Sequence, residues 1–172
     1  NKIFYKDISG DEVLSINVHE FGKYILCSCA ADPRKNLYQL LKAYSILPLH
    51  LIDKHKLVLT GPFSDSEIKL INTWLEDLNI DLQNVKILGY VEDFDLANLY
   101  RNSYLFVFPS MHEGFGLPVL EAINCGATVI ASNVTSIPEI IHYEPALFDP
   151  YNLEVFKDLI IKALIDQSFR QS

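Results

Sequence analysis

The sequence lacks the features that mark several classes of protein. No apolar run approaches the ~18 residues of a membrane-spanning helix, and the opening residues NKIFYKDISG contain no signal-peptide segment. Lys and Arg number 14 against 22 Asp and Glu, which gives a formal net charge of −8. A nucleic-acid surface needs a basic face to neutralise phosphates, so this balance argues against one. We expect a cytoplasmic protein that binds no nucleic acid.

Cysteine and histidine are too sparse to indicate a metal site. The three cysteines, Cys27, Cys29 and Cys125, have no CxxC spacing, and their odd number does not suggest a disulfide framework. His112 precedes Glu113 without a second histidine at metal-binding spacing. The sequence therefore predicts structural cysteines, a reducing compartment and no bound metal.

The composition is that of a folded, soluble domain. Of the 172 residues, 49% are hydrophobic and 21% are charged, which excludes a disordered chain. The length suits one domain, residues 1–172, and is short for two. The only methionine is Met111, so we expect the sequence to be a piece of a longer protein.

Apolar runs of strand length alternate with segments of helical period. Strands are predicted at 24–28, 56–60, 85–88, 104–108 and 128–132, and helices at 36–47, 64–78, 95–102, 118–126, 137–142 and 152–165. This alternation predicts an α/β fold in which a parallel sheet carries helices on both faces. Ligands of such sheets bind beyond the carboxyl ends of the strands, so the loops that follow the strands form the expected site.

The stretch MHEGFGLPVLEA follows the fourth predicted strand. Gly114 and Gly116 allow the backbone to approach a ligand closely, and Pro118 suits a first helical position. The free N–H groups and the dipole at such a helix start favour an anion, and a diphosphate fits.

Two glutamates, Glu113 and Glu121, lie in the same stretch. Carboxylates aimed at the phosphates would repel them, so we interpret both as acceptors for neutral hydroxyl groups. A nucleotide sugar, with its diphosphate between the ribose and the second sugar, has that layout. The spacing alone fits equally well a tight strand-to-helix connection with a solvent-exposed Glu121.

The amino-acid sequence of this stretch is more specific than the spacing of its glutamates. EGFGLPVLEA, with Glu113-x7-Glu121, resembles the signature of the large retaining glycosyltransferase family with the two-domain GT-B fold. The resemblance extends over roughly residues 24–165, through DPRKN, LVLTG, LGYVEDFDLANLY, FVFPS and SNVTSIPE. It looks closest to bacterial enzymes that build surface polysaccharides, often mannosyltransferases. It implies a Rossmann-like domain, the C-terminal, donor-binding half of a GT-B enzyme.

The resemblance also implies roles for individual residues. Glu113 would contact hydroxyls of the transferred sugar, Glu121 would hold the ribose, and Arg34 and Lys35 would reach the phosphates. The other implied contacts are Gly114, Phe115, Gly116 and Leu117 at the diphosphate or the sugar, Tyr90 and Val91 at the nucleobase, and Thr135 and Ser136 at the phosphates.

One departure from the family pattern affects Arg34. Many members carry glycine and arginine directly after the first strand, whereas CSCAA has neither, so Arg34 would supply the whole guanidinium function. Each of these roles has a structural alternative. Arg34 and Lys35 could be solvated loop charges, and Tyr90 and Val91 could serve packing alone. His112 could lie in the loop and not in the sugar pocket.

The expected activity is retaining transfer of a hexose from a GDP- or UDP-sugar to a glycan or lipid-linked acceptor, without a metal or other cofactor. The acceptor would be bound by the missing N-terminal half, so the isolated domain would be inactive, and the full-length enzyme could associate peripherally with the inner face of the membrane. The alternatives are a non-catalytic nucleotide-binding module and a GT-B-like epimerase or phosphorylase.

Overall fold

The computed structural model describes Phe4 and residues 14–171, and a sheet of six parallel strands forms its centre. The strands are β1 (Tyr24–Ser28), β2 (Lys56–Thr60), β3 (Val85–Gly89), β4 (Leu105–Phe108), β5 (Val129–Ser132) and β6 (Leu147–Phe148). Their order across the sheet is β3-β2-β1-β4-β5-β6. This is the strand order of the Rossmann-type doubly wound fold.

Eight α-helices connect and cover the strands in the described part of the chain. They are α1 (Leu37–Ser45), α2 (Leu49–Ile52), α3 (Asp65–Asp77), α4 (Asp93–Asn102), α5 (Leu117–Asn124), α6 (Ile137–Ile140), α7 (Leu153–Ile165) and α8 (Gln167–Gln171). Helix α1 packs against α3 and α7, whereas α4 packs against α5. These two groups cover the sheet on its two sides, as the α/β prediction requires.

The predicted alternation of strands and helices is confirmed. Every predicted strand lies within one residue of an observed strand at each end, and every predicted helix lies within two residues of an observed one. Strand β6 and helices α2 and α8 were not predicted. Two corrections concern helix starts near the expected site: α4 begins at Asp93, and α5 begins at Leu117, which places Pro118 at its second position.

The central strands are apolar because both of their faces are covered. Every residue of β4 is buried, and in β1 and β2 only Ser28 and Lys56 are partly exposed. Such continuous apolar runs are expected of parallel strands between two helical layers. The Tyr24 hydroxyl donates a hydrogen bond of 2.7 Å to the Leu99 carbonyl oxygen, which joins β1 to α4.

Side chains cap the starts of helices α3 and α7. The Ser64 side chain accepts from the Glu67 backbone N–H while Glu67 accepts from the Ser64 backbone, so the capping box at α3 is complete. Asn152 caps α7 through the Val155 N–H. Helix α5, which follows Gly116, has no side-chain cap, and neither do α1, α2, α4 and α6.

The strand order creates one crevice. The chain passes from β1 to β2 and β3 on one side of the sheet, and then returns to form β4 on the other side of β1. The loops after β1 and β4 therefore diverge at the topological switch point, where open α/β sheets bind their ligands. Within the described residues, no helix is both long enough and apolar enough to span a membrane.

Candidate functional site

An ion pair bridges the two loops at the switch point. Lys35 follows β1, Glu113 follows β4, and the Lys35 Nζ lies 2.6 Å from the Glu113 Oε1. The side chains are only 27% and 12% exposed, so the pair is partly screened from water. The Lys35 Nζ also lies 5.7 Å from the centroid of the Phe108 ring at the end of β4. The structure thus brings together two residues that the sequence predicted for different parts of one ligand.

A short 3-10 helix, Pro33–Lys35, presents Lys35 to the crevice. Asp32 caps this turn, because its carboxylate accepts a hydrogen bond of 2.8 Å from the Arg34 backbone N–H. Asn36 ends the turn in the left-handed conformation with φ of 57°, and its side-chain amide donates to the Pro150 carbonyl oxygen at 3.3 Å. Asp32 and Asn36 were not singled out from the sequence, although Asp before Pro is a recognisable cap signal.

Arg34 does not meet Glu113. Its guanidinium forms a bidentate pair with Asp32, with an Nη2 to Oδ2 distance of 2.6 Å, and 69% of its side chain is exposed. Hydrogen bonds from Arg34 lower the pKa of Asp32 to about 2, and those to Asp32 raise the pKa of Arg34. The two adjacent cations therefore have different partners and different exposure.

The loop after β4 is held by contacts to the loops on both sides. The Met111 backbone N–H donates to the Arg34 carbonyl oxygen at 2.7 Å, and the Glu113 backbone N–H donates to the Thr135 Oγ1 at 3.2 Å. The Ser132 hydroxyl donates to the Ser110 carbonyl oxygen. These bonds fix the path of the chain that carries Glu113.

The start of α5 has the properties expected of an anion site. Gly116 has a φ of 85°, which favours glycine, and a Cβ on it would lie 2.5 Å from the Ile137 Cδ1, so that side chain would have to shift. No side chain caps α5, Pro118 has no N–H, and the Val119 N–H donates to the Gly116 carbonyl oxygen at 3.0 Å, which leaves the Leu117 N–H of the first turn for a ligand. A Cβ on Gly114 would meet nothing within 4 Å, and Phe115 and Leu117 are exposed.

Glu121 lies one helical turn into α5 and is half-buried. Burial raises the pKa of its carboxyl, and the nearby Asp93 carboxylate at the start of α4 raises that pKa further. The hydroxyl of the fully buried Tyr100 is close to the Glu121 carboxylate and lowers its pKa in part. Glu121 is thus a carboxylate in restricted space, separate from the Lys35–Glu113 pair.

The remaining predicted residues surround this centre. Tyr90 follows β3 and is 68% exposed, whereas Val91 is partly buried against the core. The Ser136 Oγ is buried and has no hydrogen-bond partner among the described residues. His112 is exposed in its loop. In the part of the chain that the structure describes, no three His, Cys, Asp or Glu side chains converge as metal ligands would.

Comparison with known families identifies the family of this chain. A family model described as "Glycosyl transferases group 1" matches residues 15–172. The chain belongs to this family. The resemblance read from the sequence is thereby confirmed at the level of the family, and the six-stranded parallel sheet is the fold of its GT-B neighbours.

The curated relatives of this glycosyltransferase group 1 domain include bacterial mannosyltransferases. The serotype-specific mannosyltransferase WbdA of Escherichia coli is 36% identical over 190 residues, which cover 97% of this chain and 23% of the relative. The O-antigen chain mannosyltransferase B of Escherichia coli is 37% identical over 155 residues, which cover 86% of this chain and 38% of the relative. The chain therefore spans well under half the length of either relative.

Solved structures share the fold. Anabaena Alr3699/HepE in complex with UDP and glucose superposes with a TM-score of 0.75 at 20% identity, covering 87% of this chain and 41% of that one.

Proposed function

We propose that this chain is the donor-binding domain of a retaining mannosyltransferase or related hexosyltransferase that uses a GDP- or UDP-sugar. The Lys35–Glu113 ion pair at the switch point carries the proposal, since it sets a cation suited to phosphate beside a carboxylate suited to sugar hydroxyls, 2.6 Å apart. The uncapped start of α5 offers backbone donors to the same diphosphate. The mannosyltransferase relatives support a hexose as the transferred group.

The proposed arrangement assigns one part of the donor to each group of residues. Lys35 would exchange Glu113 for a phosphate oxygen, Arg34 would approach the diphosphate from the exposed side, and the backbone of Gly114, Phe115, Gly116 and Leu117 would donate to it. Thr135 and Ser136 complete the phosphate side. Glu113 would accept from hydroxyls of the transferred sugar and Glu121 from the ribose, while Tyr90 and Val91 would flank the base.

Catalysis in this proposal is electrostatic. Cleavage of the bond between sugar and phosphate develops negative charge on the leaving diphosphate, and preorganised donors stabilise that charge. Lys35 and the start of α5 would supply these donors without a metal ion. The sugar would be attacked on the face from which the diphosphate leaves, with no covalent intermediate on this chain.

The acceptor, a glycan or a lipid-linked glycan, would be bound by a second domain. This chain covers 23% and 38% of the two mannosyltransferase relatives, which leaves room for such a domain in a full-length enzyme. Because closure of two halves excludes water and completes the site, the isolated chain should bind the donor without transferring the sugar.

Calorimetry of the chain against GDP, UDP, GDP-mannose and UDP-glucose, each with EDTA and with Mg²⁺, tests this proposal. We expect binding of at least one diphosphate and of its sugar conjugate, nearly unchanged by EDTA. A strict requirement for Mg²⁺, or robust transfer of sugar by the isolated chain, would contradict it. Product analysis with a full-length enzyme separates transfer from epimerisation, phosphorolysis or binding alone.

A further inference from the structure

Thr135 makes a contact that none of the roles above uses. It lies between β5 and α6, and its Oγ1 accepts the hydrogen bond of 3.2 Å from the Glu113 backbone N–H. Glu113 is thereby held at two points by two different loops. Thr135 holds its backbone from the β5 side, and Lys35 holds its carboxylate from the β1 side.

The backbone of Thr135 is strained. Its φ is 47°, in the left-handed region that β-branched residues rarely adopt because the branched side chain crowds the backbone. Strain of this kind persists where the surrounding structure imposes it, and it clusters at functional sites. Glycine or asparagine would adopt this backbone more easily, but neither has the hydroxyl that accepts from Glu113.

We propose that Thr135 is a positioning residue that orients Glu113 toward the transferred sugar. The inference rests on the proposed function, because it assumes that Glu113 faces that sugar. Gly114 follows Glu113 and a Cβ there would be in open space, so the next residue does little to fix the turn. The bond to Thr135 supplies the restraint that packing does not. The Thr135 hydroxyl keeps its own proton, which is free to donate to a phosphate.

Three variants separate this role from its alternatives. Thr135→Val keeps the branched shape and removes the acceptor, whereas Thr135→Ser keeps the hydroxyl. Thr73→Val is the matched control, since Thr73 is exposed on α3 and its hydroxyl donates only to the Lys69 carbonyl oxygen. Each variant is titrated by calorimetry with GDP, UDP, GDP-mannose and UDP-glucose, and amide hydrogen exchange at Glu113 is measured by NMR.

Thr135→Val should reduce the extra affinity for the sugar conjugate by about three- to tenfold, the range expected for one neutral hydrogen bond. The plain diphosphate loses only the phosphate contact of Thr135, so it should weaken by a smaller factor than the sugar conjugate does. Thr135→Ser should restore both the extra affinity and slow exchange of the Glu113 amide, and Thr73→Val should change neither. In a Glu113→Ala background, Thr135→Val should weaken the diphosphate and the sugar conjugate by the same factor, because the phosphate contact is then the only one it removes.

Several results would overturn the inference. If Thr135→Val weakens the diphosphate and its sugar conjugate by the same factor, Thr135 acts on the phosphates and not through Glu113. The inference also fails if, in the Glu113→Ala background, Thr135→Val still weakens the sugar conjugate more than the diphosphate. It fails as well if the wild-type chain binds the diphosphate and the conjugate equally, because Glu113 then adds no affinity for the sugar. Absence of binding by the wild-type chain to all four ligands would instead overturn the proposed function, and this inference with it.

Discussion

The backbone N–H of Met111 donates a hydrogen bond of 2.7 Å to the carbonyl oxygen of Arg34, so the loop after β4 is tied to the loop after β1. This hydrogen bond involves only the backbone of Arg34, and the side chains of Arg34 and Lys35 contact different partners. Lys35 reaches Glu113, and Arg34 returns to Asp32. Adjacent cations with different partners should contribute unequally to the binding of a diphosphate.

Lys35→Met should weaken the binding of nucleotide diphosphate more than Arg34→Met does. A charge-assisted hydrogen bond contributes roughly 1.5–3 kcal/mol, so the loss at Lys35 is about ten- to more than a hundredfold. Both cations must leave a carboxylate to reach a phosphate, but the Arg34 side chain is 69% exposed and that of Lys35 is 27% exposed, so salt and water screen Arg34 more strongly. Calorimetry at low and high salt measures both effects, with the nucleoside as the control ligand. Equal losses for nucleoside and diphosphate would show that neither cation faces phosphate.

The fold could be predicted from the sequence because its central strands, β1, β2 and β4, are buried on both faces. KLVLT, YLFVF and similar runs separate cleanly from the amphipathic helices between them. Strand β6 has two residues and helix α2 has four, which is too short to show any period. Their positions depend on packing, such as the stacking of Phe148 in β6 on Phe156 in α7 at 4.0 Å between ring centroids.

The residues of the candidate site are a prediction from the sequence, whereas their pairing is seen only in the structure. The resemblance pointed to Lys35 and Glu113, yet they lie 78 positions apart, and only the strand order brings their loops together. Arg34 and Lys35 are both cationic, so residue type alone does not tell which of them enters the crevice. The 3-10 turn capped by Asp32 decides this. The left-handed backbone of Thr135 could not be predicted from the sequence, because a β-branched residue rarely adopts that conformation.

The glycines of the site should respond differently to alanine. Gly116→Ala forces a residue with a Cβ to a φ of 85° and against Ile137, so we expect a loss of about 1–2 kcal/mol in the free energy of unfolding. Gly114→Ala places its Cβ in open space and should leave that free energy nearly unchanged. Urea denaturation of the two variants tests this difference. A loss at Gly114 as large as that at Gly116 would contradict the geometry.

Stability should fall as the pH drops below neutrality, in part because of His55. Its Nδ1 lies 3.0 Å from the Leu51 carbonyl oxygen, and its ring packs on Tyr104. Its Nε2 is buried and has no hydrogen-bond partner among residues 14–171 or Phe4. Burial lowers the pKa of His55, and the nearby positive charges of Lys23, Lys54 and Arg170 lower it further. The neutral form is therefore favoured in the folded chain.

The lowered pKa of His55 determines how the free energy of unfolding changes with pH. Below a pH of about 6.5 the unfolded chain binds a proton at His55 that the folded chain does not, so the free energy of unfolding falls there by up to ~1.4 kcal/mol per pH unit. Above that pH this contribution is fully present. Urea denaturation between pH 7.5 and 5.5 measures the slope, which His55→Gln should flatten. The control His50→Gln, at an exposed position, should not. An unchanged slope in His55→Gln would refute the assignment.

The two glutamates should separate the two ends of the donor. If Glu121 holds the ribose, Glu121→Ala should weaken nucleotide diphosphate and nucleotide sugar by a similar factor, about ten- to more than a hundredfold for a lost carboxylate acceptor worth roughly 1.5–3 kcal/mol. Glu113→Ala should instead abolish the extra affinity for the sugar conjugate. It should leave the diphosphate unchanged or bound more tightly, because it frees the Lys35 ammonium from its 2.6 Å ion pair.

Turnover of a full-length enzyme extends this test. At saturating donor, Glu113→Ala should lower kcat more than Glu121→Ala does, since misplacing the reacting sugar affects the transition state directly. Circular dichroism must show both variants folded, because Glu121 is half-buried beside Asp93 and Tyr100. If Glu113→Ala weakens plain nucleotide diphosphate as much as Glu121→Ala does, the two carboxylates do not divide the donor between them, and Glu113 would then act by holding Lys35 in place for the phosphates.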